Sequence, residues 1–392
     1  MKLIFVITHL MFLRGAGKVL MAYANKFAEI GHDVSIVTQK INRKNFKFHE
    51  KIVLFEVGGP LPSNPLYWIN FTNIKKKYLK ILNKLDCDLL ISMLFPSNYF
   101  CSEVNKNRYI KHLYYCFEPF RLFHDERYIK YAPFVLKTFS RISSIFFKSL
   151  DIKGAKSADE IICISKYIQK RVREVYNRNS FLHYIGVYIY SDSDYIYNHK
   201  LNHSINKSKP YLFTLGLSHH MKGVRELMII FQKILEKKPN AILTIAGGIS
   251  KNNKSIIFKM IKKMKIPQNN IIYHGIIDDS KLNSFFSNSS VTIYTAMDES
   301  FGLIPIESML NGTPIVAFNN AGPAETIIDG NTGFIIKDFD LNDFARKVIK
   351  IIEDENLYRK LSKNGINHVR DNFNFDQSFI ELENTFKNVF QS

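Results

Sequence analysis

Two glutamates around a glycine turn carry the chemistry that this sequence offers first. Glu299 and Glu307 lie in the run Met297-Asp-Glu-Ser-Phe-Gly-Leu-Ile-Pro-Ile-Glu-Ser-Met-Leu-Asn-Gly-Thr-Pro314. Gly302 lacks a Cβ, so the backbone there can come close to a ligand. Pro305 suits the first turn of a helix, where its missing N–H costs nothing. Gly312 suits the stop of that helix. The unpaired amides of the first turn favour an anion. The carboxylates before and inside the turn accept hydrogen bonds from hydroxyls. A phosphate on the amides with hydroxyls on the carboxylates describes a nucleotide sugar.

The elements that position this turn follow from periodicity. Residues 2–8 read as a buried strand, 18–30 as a helix with apolar positions Val19, Tyr23, Ala24, Phe27 and Ile30, and 33–38 as a strand. Gly15-Ala16-Gly17 precedes that helix, which makes a βαβ unit with a glycine turn. A helix is expected over 69–85, and strands over 88–92, 109–115, 159–165 and 181–187. Ser165 is placed to cap a helix over 166–176. Residues 191–209 are polar and read as an interdomain linker. Beyond it come strands at 211–216, 241–247, 271–274 and 291–294 with helices between them, so the second sheet is parallel as well. Helices close the chain, the last near 375–390.

Composition bounds the rest. The chain has 392 residues, enough for two domains. The cysteines Cys87, Cys101, Cys116 and Cys163 form no C-x-x-C pair, which argues against zinc and for reduced thiols in the cytoplasm. The opening apolar run is short and reads as a strand rather than a signal peptide, and no stretch is long enough to span a membrane. The formal net charge of +19, from 54 Lys+Arg against 35 Asp+Glu, steers the protein towards a polyanion. Anionic lipid headgroups and nucleic acid both fit that charge, and so does a lysine-rich proteome; nucleic acid is the less expected partner. Residues 121–156 interleave aromatic and basic side chains. Such a helix either lies on an anionic membrane surface at the inner face of the membrane or packs on its own sheet.

The run at 297–314 resembles the E-x7-E motif of the family-4 retaining glycosyltransferases. The similarity continues through Thr313-Pro-Ile-Val-Ala317, Gly322-Pro-Ala-Glu325 and Asp329-Gly-Asn-Thr-Gly-Phe334, covers nearly the whole chain and is strongest over 216–333. It implies an α/β chain with the GT-B fold, two Rossmann-like doubly wound domains facing across a cleft. An acceptor-binding domain is then expected over 1–208, a nucleotide-sugar-binding domain over 209–372, and a helix over 373–392 that crosses back to the first domain.

The resemblance also implies roles. Glu299 contacts the hydroxyls of the donor sugar. Gly216 and the backbone of Ser300, Phe301, Gly302 and Leu303 hold the sugar and diphosphate, and Glu307 holds the ribose hydroxyls. Lys222 neutralises the diphosphate leaving group. Gly15, Ala16 and Gly17 face the donor phosphates or the acceptor. The acceptor is a glycan or glycolipid, the anomeric configuration is retained, and no cofactor or essential metal is expected. Asp86-x-Asp88, Asp192-x-Asp194 and Asp338-x-Asp340 stand nowhere that the resemblance requires a metal ligand.

The sequence departs from the family in two places. Relatives carry Arg after the strand-end glycine, where this chain has Leu217; Arg14, His219, His220 and Arg225 are candidate replacements, with Arg14 favoured. Relatives read Cys-His-Glu-Pro-Pro-Arg where this chain reads Cys116-Phe-Glu-Pro-Phe-Arg121, and Glu118 and His124 are candidates to supply a polar group there. Asp278 and Lys281 fall in the loop that meets the base in relatives. They suit guanine, and UDP and GDP sugars both stay open. The departures also leave a second reading, a catalytically silent nucleotide-sugar-binding protein or partner subunit. A nucleotide-sugar epimerase on the same fold is a further alternative.

Overall fold

The computed structural model describes residues 1–13, 15–104, 110–132, 134–189 and 206–391. Arg14, Asp192, Asp194 and most of the expected linker lie outside them. The chain divides into two compact units, Met1–Ile185 with Gln377–Ser392, and Gly186–Asp376.

The first unit begins with β1 (Lys2–Ile7), α1 (Gly15–Glu29), β2 (Asp33–Thr38) and β3 (Val53–Glu56). The helix expected over 69–85 forms as α3 (Phe71–Leu82), and an additional short helix, α2 (Pro65–Ile69), precedes it. Asn64 caps α2 with Pro65 at its first position, and Asn70 leaves helical geometry at φ −91°, ψ 12°. Then come β4 (Leu89–Met93), α4 (Ser97–Ser102) and β5 (Lys111–Cys116). The aromatic and basic stretch forms α5 (Arg121–His124), α6 (Glu126–Tyr131) and α7 (Phe134–Lys156), followed by β6 (Glu160–Cys163), α8 (Lys166–Tyr176) and β7 (Phe181–Leu182). Ser165 caps α8 by accepting from the Ile168 amide at 3.1 Å. The strand expected over 181–187 is cut to two residues, and Val187 instead bridges to Asn374. All seven strands are parallel, in the order β3-β2-β1-β4-β5-β6-β7.

The second unit runs β8 (Tyr211–Leu215), a 3-10 turn (His220–Lys222), α9 (Val224–Leu235), β9 (Ile242–Ala246), α10 (Lys251–Met264), β10 (Ile271–Gly275), α11 (Asp279–Ser287), β11 (Val291–Tyr294), α12 (Leu303–Leu310), β12 (Ile315–Phe318), α13 (Pro323–Thr326), β13 (Gly333–Ile336), α14 (Leu341–Glu353) and α15 (Glu355–Asn372). Its six strands are parallel in the order β10-β9-β8-β11-β12-β13. Every residue of β9, β11 and β12 is buried, as helices on both faces of a parallel sheet require.

The last helix, α16 (Phe375–Gln391), belongs with the first unit. Phe379 and Phe386 pack on Phe27 of α1 at ring-centroid distances of 4.8 and 5.2 Å. Ser378 bonds the Tyr23 hydroxyl at 2.8 Å and the Tyr184 carbonyl at 2.6 Å. Returning the chain end to the first sheet buries an apolar face that α16 would otherwise expose.

Candidate functional site

In a parallel sheet of this kind, ligands bind beyond the carboxyl ends of the strands where the strand order reverses. In the second unit that point lies between β8 and β11. Lys222 stands after β8 and Glu299 after β11, and their side chains meet: Lys222 Nζ lies 2.6 Å from Glu299 Oε2. The lysine side chain is 12% exposed and the glutamate 30%, so the pair sits at a mouth rather than in a core. Lys222 Nζ also lies 5.9 Å from the centre of the Tyr294 ring.

Backbone contacts set this geometry. Gly223 takes φ +62° and joins the 3-10 turn to α9; a Cβ there would meet the Thr295 carbonyl oxygen at 2.0 Å. The Thr295 hydroxyl donates to the Lys222 carbonyl at 3.1 Å, and the Met297 amide donates to the Met221 carbonyl at 2.8 Å. The two loops are therefore stitched side by side. Buried Asn253 holds the other flank, donating to the carbonyls of Leu217 and His219 at 2.9 Å each. On the far side, the Asp298 amide donates to Asn320 Oδ1 at 2.9 Å with Asp298 at φ +50°. Asp is one of the few non-glycine residues that visit the left-handed region routinely. Gly302, at φ +100°, opens α12 and packs under Pro305 and Pro323.

The structure brings Lys222, Gly216, Ser300, Gly302, Leu303 and Glu307 to the strand ends or the first turns beyond them. Gly216 has φ +73° and open space where its Cβ would be. Glu307 lies within α12, half-buried, and its carbonyl accepts from the Asn311 amide at 3.2 Å. Phe301 is 3% exposed and packs on Phe373, so only its backbone can face a ligand. Leu217 is 2% exposed: the position where relatives carry Arg is an apolar core seat. Asp278 and Lys281 are exposed at the start of α11.

The first unit holds the other candidates. Gly15 turns into α1 at φ +46°, Ala16 is half-buried, and Gly17 packs against the Phe46 ring. Glu118 Oε2 accepts from Arg121 Nε at 2.6 Å. His124 is not a surface residue: its Nε2 lies 2.8 Å from Asp151 Oδ2, which also accepts from the Tyr176 hydroxyl at 2.9 Å. This buried network makes His124 part of the fold. Phe117 is buried against Tyr115. The two acidic pairs among the described residues are occupied too. Asp86 and Asp88 bond Lys2, Asp338 accepts from Asn320, and Asp340 caps α14. Among the described residues no group of three or more His, Cys, Asp or Glu is placed to hold a metal ion.

Sequence reading passed over His9, directly beyond β1 and beside the reversal point of the first sheet. Its Nδ1 is buried without a hydrogen-bond partner, and burial holds its pKa below the usual histidine value. A histidine immediately after a buried strand and ahead of a glycine turn was the available signal.

Two family models match this chain: Glycosyltransferase Family 4 over residues 13–185, and Glycosyl transferases group 1 over residues 198–368. The capsular polysaccharide biosynthesis glycosyltransferase CapM of Staphylococcus aureus is 28% identical over 192 residues, 48% of this chain and 50% of that one. The chain thus spans half the length of that curated relative. Sucrose-phosphate synthase from Thermosynechococcus elongatus superposes over 100% of both chains, with a TM-score of 0.79 and 18% identity. Anabaena HepE, solved in complex with UDP-glucose, superposes over 99% of both chains, with a TM-score of 0.74 and 15% identity. At such identities the likeness establishes the fold, which is GT-B.

Proposed function

The chain belongs to the group 1, family 4 glycosyltransferases, and we propose that it moves a hexose from a UDP- or GDP-linked sugar to a glycan or lipid-linked acceptor, with retention and without an essential metal ion. The observation that carries this reading is the Lys222–Glu299 pair at the reversal point of the second sheet. The donor's diphosphate competes with Glu299 for the Lys222 ammonium. The freed carboxylate then accepts hydrogen bonds from sugar hydroxyls, and the Glu307 carboxylate does the same for the ribose. As the glycosidic bond breaks, negative charge grows on the departing diphosphate. Lys222 and the amides that open α12 stabilise it there. The leaving phosphate takes the acceptor's proton as the acceptor attacks from the same face. The UDP-glucose complex of HepE supports a nucleotide-sugar donor, and the name of CapM supports a cell-envelope polysaccharide as product.

A second reading, a silent nucleotide-sugar-binding protein or partner subunit, is favoured by the burial of Leu217 and Phe117 where relatives carry a cation and an imidazole. Nucleotide release and calorimetric binding over a panel of nucleotide sugars, with and without EDTA, separate the two. Release of one nucleotide that survives EDTA and falls about a hundredfold in Glu299→Ala is expected. Tight binding with no release, even when acceptors are supplied, would favour the silent reading. Absence of binding by every donor would remove both.

A further inference from the structure

Helix α7 carries apolar side chains on both of its sides. Inward, Phe139 and Phe147 pack on Trp68 at ring-centroid distances of 5.7 and 4.9 Å, and Ser140, Ser143, Gly154 and Ala155 are buried. Outward, Phe134, Val135, Ile142, Ile145 and Phe146 are 59–81% exposed. Steps of three and four residues place 134, 138, 142, 145 and 149 in one stripe, with 135 and 146 beside it. No other described element exposes more than two large apolar side chains. The inward side already anchors the helix, so the outward stripe adds nothing to the fold. A contiguous apolar patch of this kind marks an interaction surface.

The charge beside the stripe selects the partner. Arg141 and Lys148 are exposed on α7, and Arg127 and Lys130 on the adjoining α6. The one acid within α7, Asp151, is buried against His124 and Tyr176. A second copy of the chain would set like charges against each other across a twofold axis. An anionic bilayer meets both features at once. We propose that α7 lies flat on a membrane surface containing anionic lipid, with the stripe in the acyl boundary and Arg141 and Lys148 at the headgroup phosphates. Among the described residues no helix is long and apolar enough to cross a membrane, so the contact is interfacial.

Co-sedimentation of the full chain with vesicles tests this without reference to sugar transfer, so its failure and that of the transferase reading are separable. Vesicles of phosphatidylcholine with phosphatidylglycerol should carry the protein down, and phosphatidylcholine alone should not. Ile145→Glu with Phe146→Glu should lower the partition coefficient more than tenfold with an unchanged melting temperature, since both sites are exposed. Arg141→Glu with Lys148→Glu should lower it severalfold and abolish the advantage of anionic lipid. Failure of the wild type to bind anionic vesicles would overturn the proposal, as would undiminished binding by either variant. A concentration-dependent dimer in sedimentation velocity, lost in the Ile145/Phe146 variant, would overturn it in favour of self-association.

Discussion

The two sheets reverse strand order at the same place, between β1 and β4 in the first and between β8 and β11 in the second. In the second, the strand ends lead into loops that hold Lys222 against Glu299 at 2.6 Å. In the first, the end of β4 leads to Phe95, which is 3% exposed and packs on Phe71, Trp68, Phe120 and Phe123. The Thr8 hydroxyl donates to the Phe95 carbonyl, and the Tyr78 hydroxyl closes the carbonyls of Ile7 and Thr8. One reversal point carries an ion pair on glycine-shaped loops, and the other is filled by aromatic rings. Topology fixes where strand ends converge. Side chains then decide whether that place stays open and charged, and here the charge chemistry concentrates in the second unit.

The comparison breaks first at Gly223. Alanine there combines a left-handed φ with a Cβ 2.0 Å from the Thr295 carbonyl oxygen, so backbone must move. A loss of about 4 kcal/mol is expected, at the upper end for single substitutions. Gly15 is the control in the first unit: its φ is +46°, but nothing lies within 4 Å of a Cβ. Gly15→Ala should cost only the left-handed backbone term, about 1 kcal/mol. Urea unfolding of both variants measures the contrast, and equal costs would show that the second loop is not the tighter one.

Removing the lysine comes next in size. Lys222→Ala should raise the barrier to transfer by about 3 kcal/mol, a hundredfold or more in turnover. The double variant with Glu299→Ala should lose less than the sum of the single losses, because the partners act as a unit. His9→Ala is the comparison in the first unit. A turnover loss there as large as at Lys222 would move part of the chemistry to the first sheet's reversal point.

Much of this was legible in the sequence. The spacing from Gly216 to Gly223 and from Glu299 to Gly312 needs glycine wherever a left-handed φ or close packing occurs, and such constraints leave visible residues. Alternating apolar runs gave both parallel sheets, since buried strands have little other choice. Helix α2 was missed because five residues are too few to show a helical period. His124 stood as a candidate site residue because a burial that depends on Asp151, Tyr176 and Asn98, distant in sequence, has no local signature. Leu217 looked like a lost ligand and is a core residue, a distinction set by which way the side chain turns. Arg14, favoured as its replacement, lies outside the described residues.

The last expected effect concerns acid, and it sets the units apart once more. His183 and His112, both in the first unit, are held down to about 4 by burial; the Ser378 backbone and the Asp159 charge oppose this only in part. His183 lies 2.8 Å from the Ser378 carbonyl through Nε2 and 2.7 Å from the Tyr115 hydroxyl through Nδ1. The carbonyl can only accept, so the proton sits on Nε2 and Nδ1 accepts from Tyr115. A second proton would turn that acceptor into a donor. Folded, both rings are neutral below the point where an unfolded chain, near 6.5, takes up protons. The unfolded state therefore binds more protons between pH 6.5 and 4, and stability, complete above 6.5, falls as pH drops through that window. Each ring contributes a loss of about 2 kcal/mol at pH 5. In the second unit His368 is lowered too, but it is half-buried and bonds one carbonyl. Hydrogen exchange at pH 5 should accordingly loosen peptides from β5, residues 181–185 and α16 before those from β8 to β13. His183→Gln should flatten the dependence on pH. Uniform loosening of both units would mean that carboxylates elsewhere govern acid stability, and the buried imidazoles would no longer distinguish the two.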